Sequence, residues 1–490
     1  MSWGNATSIG KRVARQGALL FSGFATAQAL SFLRNAIIAH SLSKGDFGIA
    51  AAILLLLQLL ETLSDLGADR LIVQARDGDD PRVVATAQAL LVARGLLTAL
   101  ALILVAAPAA HFLGIADAAW AFSAAAVVPL LKSFTSLDAR IAQRTLDNRP
   151  QLAIEVLPQA VALVLTWPAL KLFGGYSAVL WLSVAQAFVA VCTSHWVAHR
   201  PYRLALDRRH LKRLFVFGWP IWASAFPLIA VYQGDRMLIG HYAGIEALAA
   251  YTAAFMITMV PGLLAAKIAN SLMLPLLSSQ QEDRQAFASR FCMMSEVAAL
   301  AAALYLCAFV IAGGAVLPLA FGKNYTGLSA VVSWLSLMWA MRMLQAVPGA
   351  ALLAKGITRP FLTAGLIRAT GLVLAWAALI AGLGLEGAAI AGVIAEFASL
   401  AYVAWRLDHI DRAPANLEPQ HMGRAFALRC LLLAPAGLLA IAATTTSTAA
   451  SLLGLVIPLT VVSTVVVAMA ALTMPVGKRQ IMSLRLMGGR

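Results

Sequence analysis

The sequence predicts an all-α, polytopic membrane protein of about fourteen transmembrane helices, with both termini on the cytoplasmic side. Three observations predict it. Of 490 residues, 61% are apolar and 12% charged, with a mean hydropathy of +0.82, whereas a soluble domain carries about 25% charged residues. The charges gather in short segments between apolar runs of the roughly 20 residues that a hydrocarbon core of ~30 Å requires. The Lys and Arg residues fall in alternate loops. This balance excludes a soluble enzyme, a disordered chain and a peripheral membrane protein. A net charge of +15 suggests nucleic acid in a soluble protein, but here the cations occupy loops that set topology against an anionic leaflet, so nucleic acid is excluded as a partner.

In chain order the spans begin near Gly17, Phe47, Val83, Trp120, Leu152, Ser177, Leu214, Glu246, Phe291, Thr326, Pro360, Gly387, Ala425 and Ser451. The runs are too long for strands and do not alternate. Prolines inside them, Pro129, Pro158, Pro220, Pro227, Pro261, Pro348, Pro435 and Pro458, are tolerated where neighbours satisfy the freed carbonyls. With the N-terminus inside, 27 Lys and Arg fall in inner segments and 3 (Lys44, Lys171, Lys323) in outer ones, a strong positive-inside bias. The first run follows basic residues and contains Ala25-Thr26-Ala27, which mimics a signal-peptide cleavage site; because the apolar pattern continues to Leu42, a retained helix is expected. Cys192, Cys292, Cys307 and Cys430 lie in apolar stretches without metal-type spacing and read as small buried side chains.

The longest loops are internal, around Arg200–Arg213 and Arg406–Arg424, and leave no extramembrane domain to carry an activity. A weak repeat sets Ile37-Ile38-Ala39-His40 against Leu238-Ile239-Gly240-His241, an offset of 201 residues. Two homologous lobes are therefore expected, residues 1–205 and 206–410, with residues 411–490 as a C-terminal helix pair and basic tail; this is the usual build of an alternating-access transporter.

Seven cations lie inside spans, each costing about 2.5–3.5 kcal/mol at a helix centre. Lys132 and Lys267 are near inner ends and read as snorkelling residues. Arg94 is placed to pair with an acid, and Arg368 is divided between snorkelling and function. Arg34 and Arg342 read as cavity residues: Gln28, Ser31, Arg34 and Asn35 share about a third of a helix circumference, and Arg342 lies mid-span, followed by Gln345 and Pro348. Arg236 follows Asp235 near an outer end. The acids available as partners are Glu61, Asp65, Glu155, Glu296 and Glu396. Glu61 and Asp65 share a face at an inner edge, where hydration accounts for them; Glu396 is deeper and suits balancing an arginine or relaying a proton. Several buried arginines and few acids suit an anionic head group, above all a diphosphate, whose oxygens match guanidinium forks.

Glu61-Thr62-Leu63-Ser64-Asp65-Leu66-Gly67 leading to Leu71-Ile72-Val73-Gln74, Gly234-Asp235-Arg236-Met237-Leu238-Ile239-Gly240 with Ala250-Tyr251-Thr252-Ala253-Ala254, and Leu317-Pro318-Leu319-Ala320-Phe321-Gly322-Lys323 carry a family resemblance. The chain resembles the polysaccharide transporter (Wzx-type) flippases of the multidrug/oligosaccharidyl-lipid/polysaccharide (MOP) exporter superfamily, nearest to exopolysaccharide exporters of the colanic-acid type. The resemblance implies two six-helix lobes around a central cavity with two added spans. It also implies export of a polyprenyl-diphosphate-linked oligosaccharide from the cytoplasmic to the periplasmic leaflet of a bacterial inner membrane, with no cofactor. Residues 30–39 are also similar to the first span of lipid II flippases, in which the arginine lines the cavity; Arg34 takes that role by position. Asn35 and Gln28 stand where those proteins have an acid and another arginine, which counts against lipid II as the substrate.

The expected substrate-binding residues are thus Arg34, Arg236, Arg342, Arg368, Gln28 and Asn35, with Asp235, Glu396, Glu61 and Asp65 as ion-pair or proton-coupling candidates. The expected partners are the lipid-linked oligosaccharide, membrane lipids and a polysaccharide polymerase with its assembly machinery. Competing readings are a lipid II flippase, a drug or cation antiporter, which calls for a net acidic cavity, and a membrane-embedded polymerase or ligase, which calls for a larger outer loop.

Overall fold

The computed structural model of the chain describes residues 3–144, 147–278, 283–355, 357, 359–410, 422–446 and 452–473. Among these residues all regular structure is helical, and ten helices are long and apolar enough to cross a membrane. Two shorter apolar helices follow near the C-terminus. The chain is a multi-pass membrane protein. It packs as two compact units, Met1–Ala250 and Tyr251–Arg490.

The first unit opens with α1 (Trp3–Ser41), continuous through Ala25–Ala27. Ser43 starts α2 (Lys44–Leu63) by accepting from the Asp46 backbone N–H at 3.0 Å, satisfying a donor the helix leaves open. Gly67, at φ 61, turns the chain into the short α3 (Ala68–Gln74). Asp80 caps α4 (Pro81–Phe112), whose first turn holds Pro81 where no N–H is required. The fourth expected span is broken into α5 (Ala119–Ala124) and α6 (Val127–Lys132). Pro129 lacks the N–H that would bond the Ala125 carbonyl, so the helix interrupts at that turn. Then follow α7 (Asp138–Arg144), α8 (Arg149–Phe173), α9 (Gly175–Trp196) and α10 (Arg208–Ile229). A π-turn at Ala230–Gly234, just past Pro227, joins α10 to α11 (Asp235–Tyr242). α1 packs on α8, α8 on α9, and α10 on α2, α3 and α4. Small residues allow the close crossings, as lipid-embedded interfaces require. A Cβ on Gly95 of α4 would stand 2.8 Å from the Pro129 carbonyl oxygen and run into Ser133. Gly95→Val is therefore expected to lower stability by about 1–3 kcal/mol, read as an earlier thermal unfolding in detergent; an unchanged midpoint would refute the close contact.

α12 (Ile245–Ser278) leads into the second unit. There α13 (Arg284–Phe321) packs on α14 (Ser329–Ala354), and α16 (Gly384–Ile410) packs on both α14 and α15 (Arg359–Ile380). α17 (Met422–Cys430), α18 (Leu433–Thr446) and α19 (Leu452–Thr473) lie against α13. Ala299, Ala302 and Ala303 on α13 are fully buried in one core with Phe291, Phe426, Ala436, Ala440 and Val466. Of the four cysteines only Cys307 is buried; Cys292 and Cys430 are half-buried and Cys192 is exposed, so the expectation of four buried thiols is corrected. Helices starting at Lys44, Pro81, Arg149 and Gly175 recur at Ile245, Arg284, Arg359 and Gly384, offsets of 201, 203, 210 and 209 residues. The repeat seen faintly in the sequence thus extends through the helix pattern.

Candidate functional site

Two groups of intramembrane arginines, one in each unit, bring together residues expected to bind substrate. In the first, the Arg34 guanidinium on α1 donates through Nη1 to the side-chain carbonyl of Gln186 on α9. Among the described residues no carboxylate meets this arginine, so its charge faces only a neutral dipole. Asn35 is buried, but its amide donates to the Ser31 carbonyl one turn back at 2.8 Å, closing onto its own helix. Gln28 is half-buried two turns before Arg34. Gln186 is the residue that reading charges in the sequence missed.

In the second unit, three expected residues come together. Glu396 on α16 accepts from Arg342 Nε at 3.2 Å and faces Arg368 Nε at 3.4 Å. The side chains of Arg342 and Glu396 are 9% and 2% exposed, and that of Arg368 is 23% exposed. Arg368 also donates to Gln345 Oε1 at 2.6 Å and to Ser399 Oγ at 3.2 Å. Gln345 Nε2 in turn donates to Ser399 Oγ at 2.9 Å, and Ser399 passes its proton to the Ala364 carbonyl at 3.1 Å. Arg342 stacks over the Trp339 ring, 4.7 Å from its centroid. Two guanidiniums on one carboxylate leave this centre with one net positive charge. Ser399 and Trp339 were not among the expected residues.

Arg236 is not part of either centre. It follows the π-turn, a geometry frequent at functional positions, and donates to the Tyr232 carbonyl at 2.5 Å, while Asp235 accepts from the Arg236 backbone N–H at 2.8 Å. Both belong to the first unit.

Glu61 and Asp65 are ion-paired, which replaces hydration as their explanation. Lys132 donates to Glu61 Oε1 at 2.9 Å, a partner in place of the expected snorkelling. Arg94 bridges Ser64 Oγ at 3.0 Å, Asp65 at 3.3 Å and the Glu61 carbonyl at 2.8 Å. Further along the same loop, Arg144 holds the Ile72 carbonyl at 2.7 Å as well as that of Ala75, and Arg213 binds Asp77 at 2.6 Å. The hydrogen bond from Arg213 holds the Asp77 carboxyl below the ordinary carboxylate range. These contacts fix the α2–α4 loop as one piece. Glu296 pairs with Arg429 at 3.0 Å and ties α17 to α13. The side chain of Lys267 lies outside the described residues.

The family described as "Polysaccharide biosynthesis protein" has a model that matches residues 37–330. The chain belongs to this family. Among curated relatives of this polysaccharide biosynthesis protein, the succinoglycan biosynthesis transport protein ExoT of Rhizobium meliloti (strain 1021) is 24% identical over 375 residues, 74% of this chain and 71% of that protein. The teichuronic acid biosynthesis protein TuaB of Bacillus subtilis (strain 168) is 26% identical over 165 residues, 33% of this chain; that match spans 34% of TuaB. Among solved structures, the lipid II flippase MurJ in an inward closed conformation superposes with a TM-score of 0.69 at 13% identity, over 92% of this chain and 99% of MurJ. An inward-facing multidrug resistance MATE family transporter of the MOP superfamily gives 0.64 at 15% identity, over 79% and 96%. The polysaccharide biosynthesis family member described here thus has the MOP-transporter fold.

Proposed function

We propose that this chain exports a polyprenyl-diphosphate-linked oligosaccharide, the repeat unit of an exopolysaccharide, capsule or O-antigen, from the cytoplasmic to the periplasmic leaflet of a bacterial inner membrane by alternating access. The observation that carries the reading is the membrane-embedded Arg34 with a neutral amide as its partner. A charge in lipid without a counter-ion is costly, and a diphosphate supplies the missing anion with oxygens that fit the guanidinium fork. In this reading Arg34 binds the diphosphate, with Gln28 and Asn35 beside it on α1. The net positive centre of Arg342, Arg368 and Glu396 attracts anionic groups, and Asp235–Arg236 supports the π-turn between α10 and α11. Glu61 and Asp65 hold the α2–α4 loop instead of coupling an ion. The sugars stay hydrated and the polyprenyl tail stays in lipid. The chain acts beside a polymerase and its assembly machinery and holds no cofactor.

The family, the transport role in the name of its relative ExoT and the repeated helix pattern support this reading. Directionality requires that the two access states differ in affinity for substrate or for a coupling ion, since equal affinities shift nothing. The test is reconstitution in vesicles with a fluorescent polyprenyl-diphosphate oligosaccharide and a membrane-impermeant quencher. Translocation well above that of protein-free vesicles is expected. A chain that leaves this lipid in place but moves a cationic drug down a proton gradient, or that moves only lipid II, would overturn it.

A further inference from the structure

The first unit carries an outward-facing apolar groove whose lining does not include Arg34. Between α4 and α10 runs a groove of about 540 Å³, walled by Leu90, Leu97, Leu211, Phe215, Trp219 and Trp222, with Ser64 and Arg94 at its polar end. It faces outward: Leu97 is 67% and Trp219 62% exposed. Trp219 and Trp222 stack with centroids 5.2 Å apart, stiffening one wall. At ~100° per residue, Arg208, Leu211, Lys212, Phe215, Trp219 and Trp222 fall within about 100° of the α10 circumference. One face of this helix therefore reads basic for its first turns and then aromatic for the next three.

The basic end is not neutralised from within. Arg203, Arg208, Arg209 and Lys212 are exposed and make no ion pair among the described residues. The acids on adjoining elements are committed elsewhere. Asp77 is held by Arg213 and Asp79 by Arg144. Asp80 caps α4, and Asp207 caps α10 by accepting from the Arg209 and His210 backbone N–H groups at 2.8 and 3.4 Å. Arg208 and Lys212 share the α10 face that walls the groove and flank its lining residue Leu211, and exposed cations beside an apolar groove are complementary to a lipid carrying a phosphate head and a hydrocarbon chain.

We propose that an anionic phospholipid binds here, its head group on Arg208 and Lys212 and one acyl chain between α4 and α10 against Trp219 and Trp222. The occupant is a bulk-leaflet phospholipid rather than the exported lipid, because these cations are exposed whereas Arg34 is half-buried against Gln186. The assignment stands whether or not Arg34 binds a diphosphate. The experiment uses the full chain in detergent, titrated with short-chain phosphatidylglycerol and phosphatidylcholine, and bound lipid is counted by native mass spectrometry. The intact protein is expected to prefer phosphatidylglycerol by about tenfold. Arg208→Ala with Lys212→Ala should abolish the preference, Arg208→Lys with Lys212→Arg should keep it, and Arg34→Ala should leave it unchanged. Equal binding of the two lipids, or a preference that survives the double alanine variant, would overturn the site. So would a polyprenyl diphosphate that displaces phosphatidylglycerol and loses its binding with Arg208 and Lys212, since the groove would then belong to the substrate.

Discussion

Arg34→Ala is expected to abolish polymer export while leaving the chain inserted at normal levels, and Gln186→Glu is expected to do nearly the same. The first change removes the cation. The second leaves it in place and gives it an internal carboxylate across the contact that Gln186 now makes from α9. In a low-dielectric setting that anion competes with a bound diphosphate for the same guanidinium. Losing a hydrogen-bonded charge pair costs roughly 1.5–3 kcal/mol, or about 10- to 100-fold in affinity. The repeat offers the same comparison: Glu396 on α16 lies 210 residues after Gln186 on α9, within one residue of the 209 that separates the starts of these two helices, and there a carboxylate does hold arginines. At this pair of positions one repeat offers its arginines a carboxylate and the other offers an amide. Export in cells, with membrane abundance measured alongside, checks both variants. Full export by Arg34→Ala removes Arg34 from the transport site. Full export by Gln186→Glu beside a null Arg34→Ala keeps the arginine and discards the counter-charge argument.

Ten of the fourteen expected spans fall on helices long and apolar enough to cross a membrane, because hydropathy is a local property of the chain; the first falls on α1, the fourth and thirteenth on pairs of short helices, and the fourteenth on α19. The break at Ala125 was less legible, since a proline in lipid either bends a helix or interrupts it according to its neighbours. Buried arginines announce themselves by cost, which is why Arg34, Arg342 and Arg368 stood out. Their partners do not. Arg34 meets Gln186 across 152 residues, and Lys132 meets Glu61 across 71, distances at which only packing decides. A search for opposite charges also passes over Gln186, although the one amide between Trp181 and Val191, in a run whose other polar residue is Ser183, was a signal of its own. Glu61 and Asp65 stood among the ion-pair candidates, but their partners Lys132 and Arg94, on other helices, were not legible in the sequence.

Glu396→Ala should be the most destabilising single change in the second unit. It removes the carboxylate that Arg342 and Arg368 share, and with Glu396 2% and Arg342 9% exposed, water does not replace it. Breaking a buried pair from one side typically costs about 3–5 kcal/mol, because the remaining charge stays buried. Glu396→Gln, which keeps the shape and an acceptor oxygen, should cost less. Replacing both sides by apolar groups, Glu396→Leu with Arg342→Met, should recover most of the lost stability, since a well-packed apolar pair is often no worse than the ions it replaces; Arg368 keeps Gln345 and Ser399 as acceptors. Thermal unfolding in detergent measures that recovery, and export in cells measures function. Recovery of stability without recovery of export means that the charges themselves serve transport. Recovery of both reduces Arg342 and Glu396 to packing, and transport would then rest on Arg34.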